Sequence, residues 1–146
     1  MTPENEDISD VLYLMSRSNF HNWFSKKEIE RYVIPALQAN QYLMVRDKQQ
    51  LPIFYASWGF PNYNQVSEYV QTLEFMPEGF VGGGDVPWLI DFIAEGGKSN
   101  VAMGFRKVKN VLSSKGYNQF FGLRVETQRL GFHQWGNNNG QCNKNI

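Results

Sequence analysis

Apolar residues recur along this chain with two periods, and the switches between them outline its elements. Ile8, Val11, Leu12 and Met15 fall at i, i+3, i+4 and i+7, which predicts an amphipathic helix ending near residues 16–18. Ser25-Lys26-Lys27-Glu28 has capping-box spacing and opens a second helix with the stripe Ile29, Tyr32, Val33 and Ala36, which Pro35 should kink or divide. Residues 42–46 and 53–58 are rich in β-branched and aromatic side chains. The polar stretch 47–50 separates them, so an antiparallel hairpin is expected. A helix at about 64–75 carries Val66, Tyr69, Val70 and Leu73 on one side. After the loop Gly82-Gly83-Gly84-Asp85, residues 88–94 read as an apolar strand. Gly96-Gly97-Lys98-Ser99-Asn100 then opens a helix aligned on Val101, Phe105, Val108 and Leu112, which Gly116 stops. A strand at 120–125 and a short one near Leu130 follow.

Early helices, a hairpin, then strand, helix and strand predict a mixed α/β fold (α+β mixed), with one central mixed sheet flanked by helices. A glycine-rich turn from strand to helix is also how acyl-CoA transferases of the GNAT type seat a pyrophosphate. By that analogy the expected architecture is a GNAT-like acyltransferase fold. The 146 residues suit one domain, expected over 1–135, with the Asn- and Gly-rich segment 136–146 as a polar, flexible tail.

Composition narrows the classes. With 42% hydrophobic, 15% aromatic and 19% charged residues, the chain is not a highly charged disordered protein. Its single cysteine, Cys142, lies in the polar tail and cannot form an internal disulfide. The N-terminus is acidic where a signal peptide would be basic, and no apolar run approaches the roughly 20 residues of a transmembrane segment. A cytoplasmic protein is expected, alone or as a small oligomer such as a homodimer. Fourteen acidic side chains balance fourteen basic ones, but in unequal blocks. Residues 62–95 hold six acids and no Lys or Arg, whereas 98–129 hold seven bases and only Glu126. The block reads either as solvated surface or as a basic face for an acidic or phosphorylated partner. Overall neutrality argues against nucleic acid.

Candidate chemistry centres on Asp91, which alternation along 88–94 sets between Leu89 and Ile93 on one face of an apolar strand. A buried carboxylate needs a partner. One reading is an ion pair with Arg124 on the next predicted strand; the other is an orienting group for an imidazole, as in a catalytic triad. The imidazole comes from His21 or His133. His21 is better placed, in a polar interhelical connection beside Ser18, whereas His133 borders the tail and suits packing or surface. The aromatics Phe54, Tyr55, Trp58, Trp88 and Phe92 could line an acyl channel, but most suit a core. No Cys/His cluster has metal-ligand spacing.

Several blocks then become recognisable in order: Ser18-Asn19-Phe20-His21, Val33-Ile34-Pro35-Ala36-Leu37-Gln38-Ala39-Asn40-Gln41-Tyr42, Pro52-Ile53-Phe54-Tyr55-Ala56-Ser57-Trp58, Trp88-Leu89-Ile90-Asp91-Phe92-Ile93-Ala94 and Arg124-Val125. Over about residues 10–127 the chain resembles the RTX toxin-activating lysine acyltransferases, the Pro-Ala-Leu-Gln-Ala-Asn-Gln-Tyr block being the most specific. The resemblance implies transfer of a fatty acyl group from acyl carrier protein to an internal lysine of an RTX protoxin, with His21 and Asp91 as the catalytic pair and no bound cofactor. Independently of the resemblance, the strand-to-helix turn at Gly96, Gly97 and Lys98 reads either as a seat for the phosphate of the donor's phosphopantetheine arm, with Arg106 and Lys107 facing the acidic carrier, or as a plain turn before a solvated basic helix. Ser18 and Arg124 would support the site. Two alternatives stand beside this: a GNAT-like acyl-CoA-dependent acyltransferase of a small amine, and a non-catalytic relative that binds acyl carrier protein or toxin.

Overall fold

A computed structural model of the chain describes residues 5–18, 25–72, 83–124, 129–135 and 144–145. Helix α1 (Asn5–Ser16) comes first. Its buried face is Val11, Leu14 and Met15 with Ile8 packed beside them, while Leu12 is 39% exposed. The stripe matches the predicted one at Ile8, Val11 and Met15 and differs at one position, with Leu14 in place of Leu12. The second helical stretch is a composite of α2 (Lys26–Glu28), a π-helical turn Ile29–Val33 and α3 (Ile34–Gln38). Its capping box forms as expected, the Ser25 hydroxyl accepting from the Glu28 N–H while Glu28 Oε1 accepts from the Ser25 N–H at 3.2 Å. Pro35 explains the π turn. It has no N–H to give to the carbonyl four residues back, and its ring would crowd that carbonyl, so the preceding turn widens until the Ile34 N–H reaches the Ile29 carbonyl.

Six strands form one sheet among the described residues, in the order β1 (Tyr42–Arg46), β2 (Pro52–Gly59), β3 (Trp88–Ala94), β4 (Gln119–Arg124), β5 (Arg129–Gln134) and β6 (Lys144–Asn145). The sheet is mixed: β3 and β4 run parallel, joined by the crossover helix α5 (Lys98–Ser114), and every other neighbouring pair is antiparallel. This agrees with the mixed α/β expectation. The hairpin β1–β2 turns through Asp47, whose carboxylate accepts the N–H groups of Gln49 at 2.8 Å and Leu51 at 3.0 Å. Lys144–Asn145, in the segment expected to be a tail, pairs with β5. Helix α4 (Tyr63–Thr72) begins where the apolar pattern placed it. No helix among the described residues is long and apolar enough to cross a membrane.

Strand β2 is buried along nearly its whole length because both faces are covered. Tyr55, with Ile93 of β3, packs under α1 and α3 against Val11, Leu14, Met15, Val33 and Leu37. Phe54, Ala56 and Trp58 face the other way, onto Val108 and Leu112 of α5 and onto Phe120 and Trp135. Helix α5 approaches closely because Gly104 has no side chain, and a Cβ there would overlap the Phe54 ring. The sheet therefore lies between two helical layers. Phe54 and Trp58 belong to the core, as most of the aromatics were expected to.

Candidate active site

Asp91 is 5% exposed in the middle of β3, directly across the ladder from Ser57 of β2, which in turn pairs with Tyr42 of β1. The Ser57 hydroxyl donates to Asp91 Oδ2 over a long 3.4 Å. The alternation expected for β3 fails at one place. A bulge between Ser57 and Trp58 sets Asp91 opposite Ser57 but Leu89 opposite Trp58, leaving Ile90 as the extra residue. Leu89 accordingly packs with the α5 layer, whereas Ile93 lies under α1, so Asp91 is not flanked by both on one face.

Two tyrosines feel this carboxylate. Burial, and then the charge of Asp91, push the hydroxyl of fully buried Tyr55 well above its usual range; Ser57 nearby opposes the shift, without an aligned hydrogen bond to it. Tyr69 of α4 is raised for the same two reasons, and its ring meets Trp88 edge to face at 6.0 Å. Tyr42 continues the row outward by donating to Asp7 of α1. Arg46 reaches Asp7 and Asp10 at 2.6 Å each, fastening α1 to β1. Burial works against the Asp7 charge, but the hydrogen bonds from Tyr42 and Arg46 and the Arg46 charge together hold its carboxyl below the ordinary range.

The other end of α1 is tied to β3. Arg17, the residue after α1, pairs with Glu95, the residue after β3, at 2.7 Å. His21 lies outside the described residues. So does the side chain of Arg124; the β3–β4 pairing covers only Trp88 with Phe121 and Leu89 with Gly122 before the ladder ends. His133 packs in the α5 layer, its ring 5.5 Å from that of Phe120 and 5.8 Å from that of Trp135, in keeping with the packing role expected of it.

Between β3 and α5, Gly96 and Gly97 have φ of +90° and +97°, which a side chain would strain, and Gly97 is the N-cap of a 17-residue helix. Asn100 ties the turn down by donating from its side chain to the Glu95 carbonyl. Lys98 in the first turn, and Arg106 and Lys107 further along, are exposed. The sequence pattern singled out Asp91 and this turn, but it passed over Ser57, Tyr69 and the Asp7–Arg46–Asp10 clamp. Spacing within β2 already put Tyr55 and Ser57 on one face; only the register could bring Ser57 to Asp91. A cleft of about 260 Å³ lined by Asn40, Gln41, Trp58, Phe60, Lys115 and Tyr117 includes none of the candidate site residues. Among the described residues no three His, Cys, Asp or Glu side chains gather as they would around a metal ion.

Along the chain, α1 and the Ser-x-x-His segment precede a buried carboxylate in the sheet and a glycine turn that caps the next helix. Residues 3–135 match the model of the RTX toxin acyltransferase family, and the chain belongs to that family. It is 28% identical to the leukotoxin-activating lysine-acyltransferase of a Pasteurella haemolytica-like species (strain 5943B) over 125 residues, 85% of this chain and 72% of that one. It is 30% identical to the RTX-II toxin-activating lysine-acyltransferase of Actinobacillus pleuropneumoniae, over 64% of this chain and 58% of the relative. It is 31% identical to a protein-lysine myristoyltransferase of Kingella kingae, over 64% of this chain. In these last two the matched stretch spans little more than half of the relative's length, 58% and 55%.

Proposed function

We propose that this protein transfers a fatty acyl group from acyl carrier protein to a lysine of an RTX protoxin in the cytoplasm, with His21 as base and Asp91 as its orienting carboxylate. The observation that carries the reading is Asp91 itself: a buried carboxylate in β3 that accepts from the Ser57 hydroxyl. A lysine amine, with an ordinary pKa near 10.4, is mostly protonated at neutral pH and needs a base. His21 takes the proton as the amine nitrogen attacks the thioester carbonyl. The tetrahedral intermediate then expels the thiolate, which recovers the proton from the imidazolium, leaving an amide and a free carrier thiol. Asp91 fixes the tautomer of the imidazole and stabilises its cationic form. In the variant through an acyl-His intermediate, the same imidazole attacks the thioester first.

On the donor side, the reading draws on the turn at Gly96 and Gly97. The N–H groups that open α5, at the positive end of its dipole, suit the phosphate of a phosphopantetheine arm, with Lys98 nearest. Exposed Arg106 and Lys107 on the same helix suit an acidic carrier. The parallel β3–β4 pair that stops after two positions, together with this turn, supports a GNAT-like arrangement of the sheet.

The test is acyl transfer with myristoyl–acyl carrier protein as donor and the leukotoxin protoxin as acceptor. His21→Ala should abolish it without loss of fold, by about 10²–10⁴-fold. Normal turnover in that variant would move the base elsewhere. Turnover with myristoyl-CoA but not with the carrier would replace the donor. Charge reversal at Arg106 and Lys107 should slow carrier association, and wild-type affinity should fall with salt. Affinity unchanged by both would place the carrier on another surface.

A further inference from the structure

We propose that Tyr55 is a positioning residue for Asp91, acting through the Ser57 hydroxyl. The inference rests on the reading of Asp91 as the orienting carboxylate and extends it inward by two residues. Tyr55 and Ser57 are two apart on β2 and so share a face, and Ser57 stands directly across from Asp91. Around Tyr55 the packing is apolar: Val11, Leu14 and Met15 of α1, Val33 and Leu37 of the second helical stretch, and Ile93.

In such a cluster a phenylalanine would pack as well. The Tyr55 hydroxyl is fully buried with no hydrogen-bond partner among the described residues, an arrangement that costs stability. What distinguishes the position is its neighbour. The Ser57 hydroxyl has one proton and rotates freely, and its bond to Asp91 is long at 3.4 Å. A small rotation that lets the Tyr55 O–H donate to Ser57 Oγ would turn the Ser57 proton toward Asp91 and strengthen both bonds cooperatively. The carboxylate then keeps one orientation while the imidazole gains and loses its proton. Hydrogen bonds around catalytic groups are often loose before substrate binds and tighten in the complex. The charge of Asp91 is already felt at the Tyr55 hydroxyl.

The experiment is a cycle on the full chain: Tyr55→Phe, Ser57→Ala, Asp91→Asn and the double variant Tyr55→Phe/Asp91→Asn, assayed with the same myristoyl–acyl carrier protein and leukotoxin protoxin. Tyr55→Phe should lower kcat about tenfold with the donor KM unchanged, while its Tm stays level or rises because a buried hydroxyl without a partner has been removed. Ser57→Ala should lower kcat in the same way, which keeps the test open should Tyr55→Phe fold poorly. In the Asp91→Asn background, Tyr55→Phe should cost nothing further. An unchanged kcat in Tyr55→Phe beside a disabled Asp91→Asn would overturn the role of Tyr55 and leave the Asp91 reading intact, as would an equal further loss in the double variant. Full activity in Asp91→Asn would overturn the Asp91 reading and this inference with it.

Discussion

On the α5 side of β2, Phe54, Ala56 and Trp58 meet Val108, Leu112, Phe120 and Trp135 in an apolar layer, with Phe54 and Phe92 edge to face at 4.9 Å. On the α1 side, Tyr55 is just as buried, but the residue two along is Ser57, and a polar row runs across three strands from Tyr42 through Ser57 to Asp91. One strand therefore serves two purposes. The α5 face has only to exclude water and can be filled by volume, whereas the α1 face holds a buried carboxylate, so Ser57 bonds to Asp91 and Tyr42 to Asp7 of α1. On the proposed function, the difference separates a side that sets stability from one that sets activity.

Substitutions can break that division. The largest effect is expected at Asp91: Asp91→Asn should lower acyl transfer per folded molecule by about 10²–10⁴-fold, read from initial rates after correction for folded fraction. A large fall in Tm matched by Arg124→Gln, with activity per folded molecule kept, would instead make Asp91 half of a structural ion pair. On the other face the loss should be one of stability. Trp58→Ala removes a fully buried indole and should cost about 3–5 kcal/mol in urea unfolding, with acyl transfer by the remaining folded molecules little changed.

A gentler probe of the same layer is Gly104→Ala. Its Cβ would press on the Phe54 ring, so a loss of about 1–3 kcal/mol is expected, and Phe54→Leu in the same chain should restore part of it. The smallest effect belongs to the clamp on α1. Arg46→Met leaves Asp7 and Asp10 without their cation and should lower stability by about 1–2 kcal/mol, since the three side chains are only partly exposed. The pH dependence has a definite sign. Asp7 is held below its ordinary value of 3.8, so the stability it contributes is fully present above that pH and is lost as pH falls through the lower folded value. Thermal melts from pH 5 to pH 2 should show Asp7→Asn losing less stability than the wild type, and equal losses would remove the clamp from the account.

The sequence by itself determined much of this protein. Alternation and β-branched content fixed strands 42–46 and 88–94, the Ser25–Glu28 spacing fixed a helix start, and the paired glycines fixed the turn into α5, because each rests on contacts within a few residues. Asp91 stood out for the same local reason, as one charge in an apolar strand. The tertiary structure decided the rest. Leu14 and not Leu12 turns inward because the neighbouring layer chooses which side of α1 is covered. Leu89 and Asp91 part to different faces because of a bulge in the β2–β3 ladder, which alternation along one strand cannot register. Ser57 came to Asp91, and Asp7 and Asp10 to Arg46, only through contacts spanning 34 to 39 residues. Such pairs carry no periodic signature, since nothing local in the chain fixes which strands and helices will lie side by side.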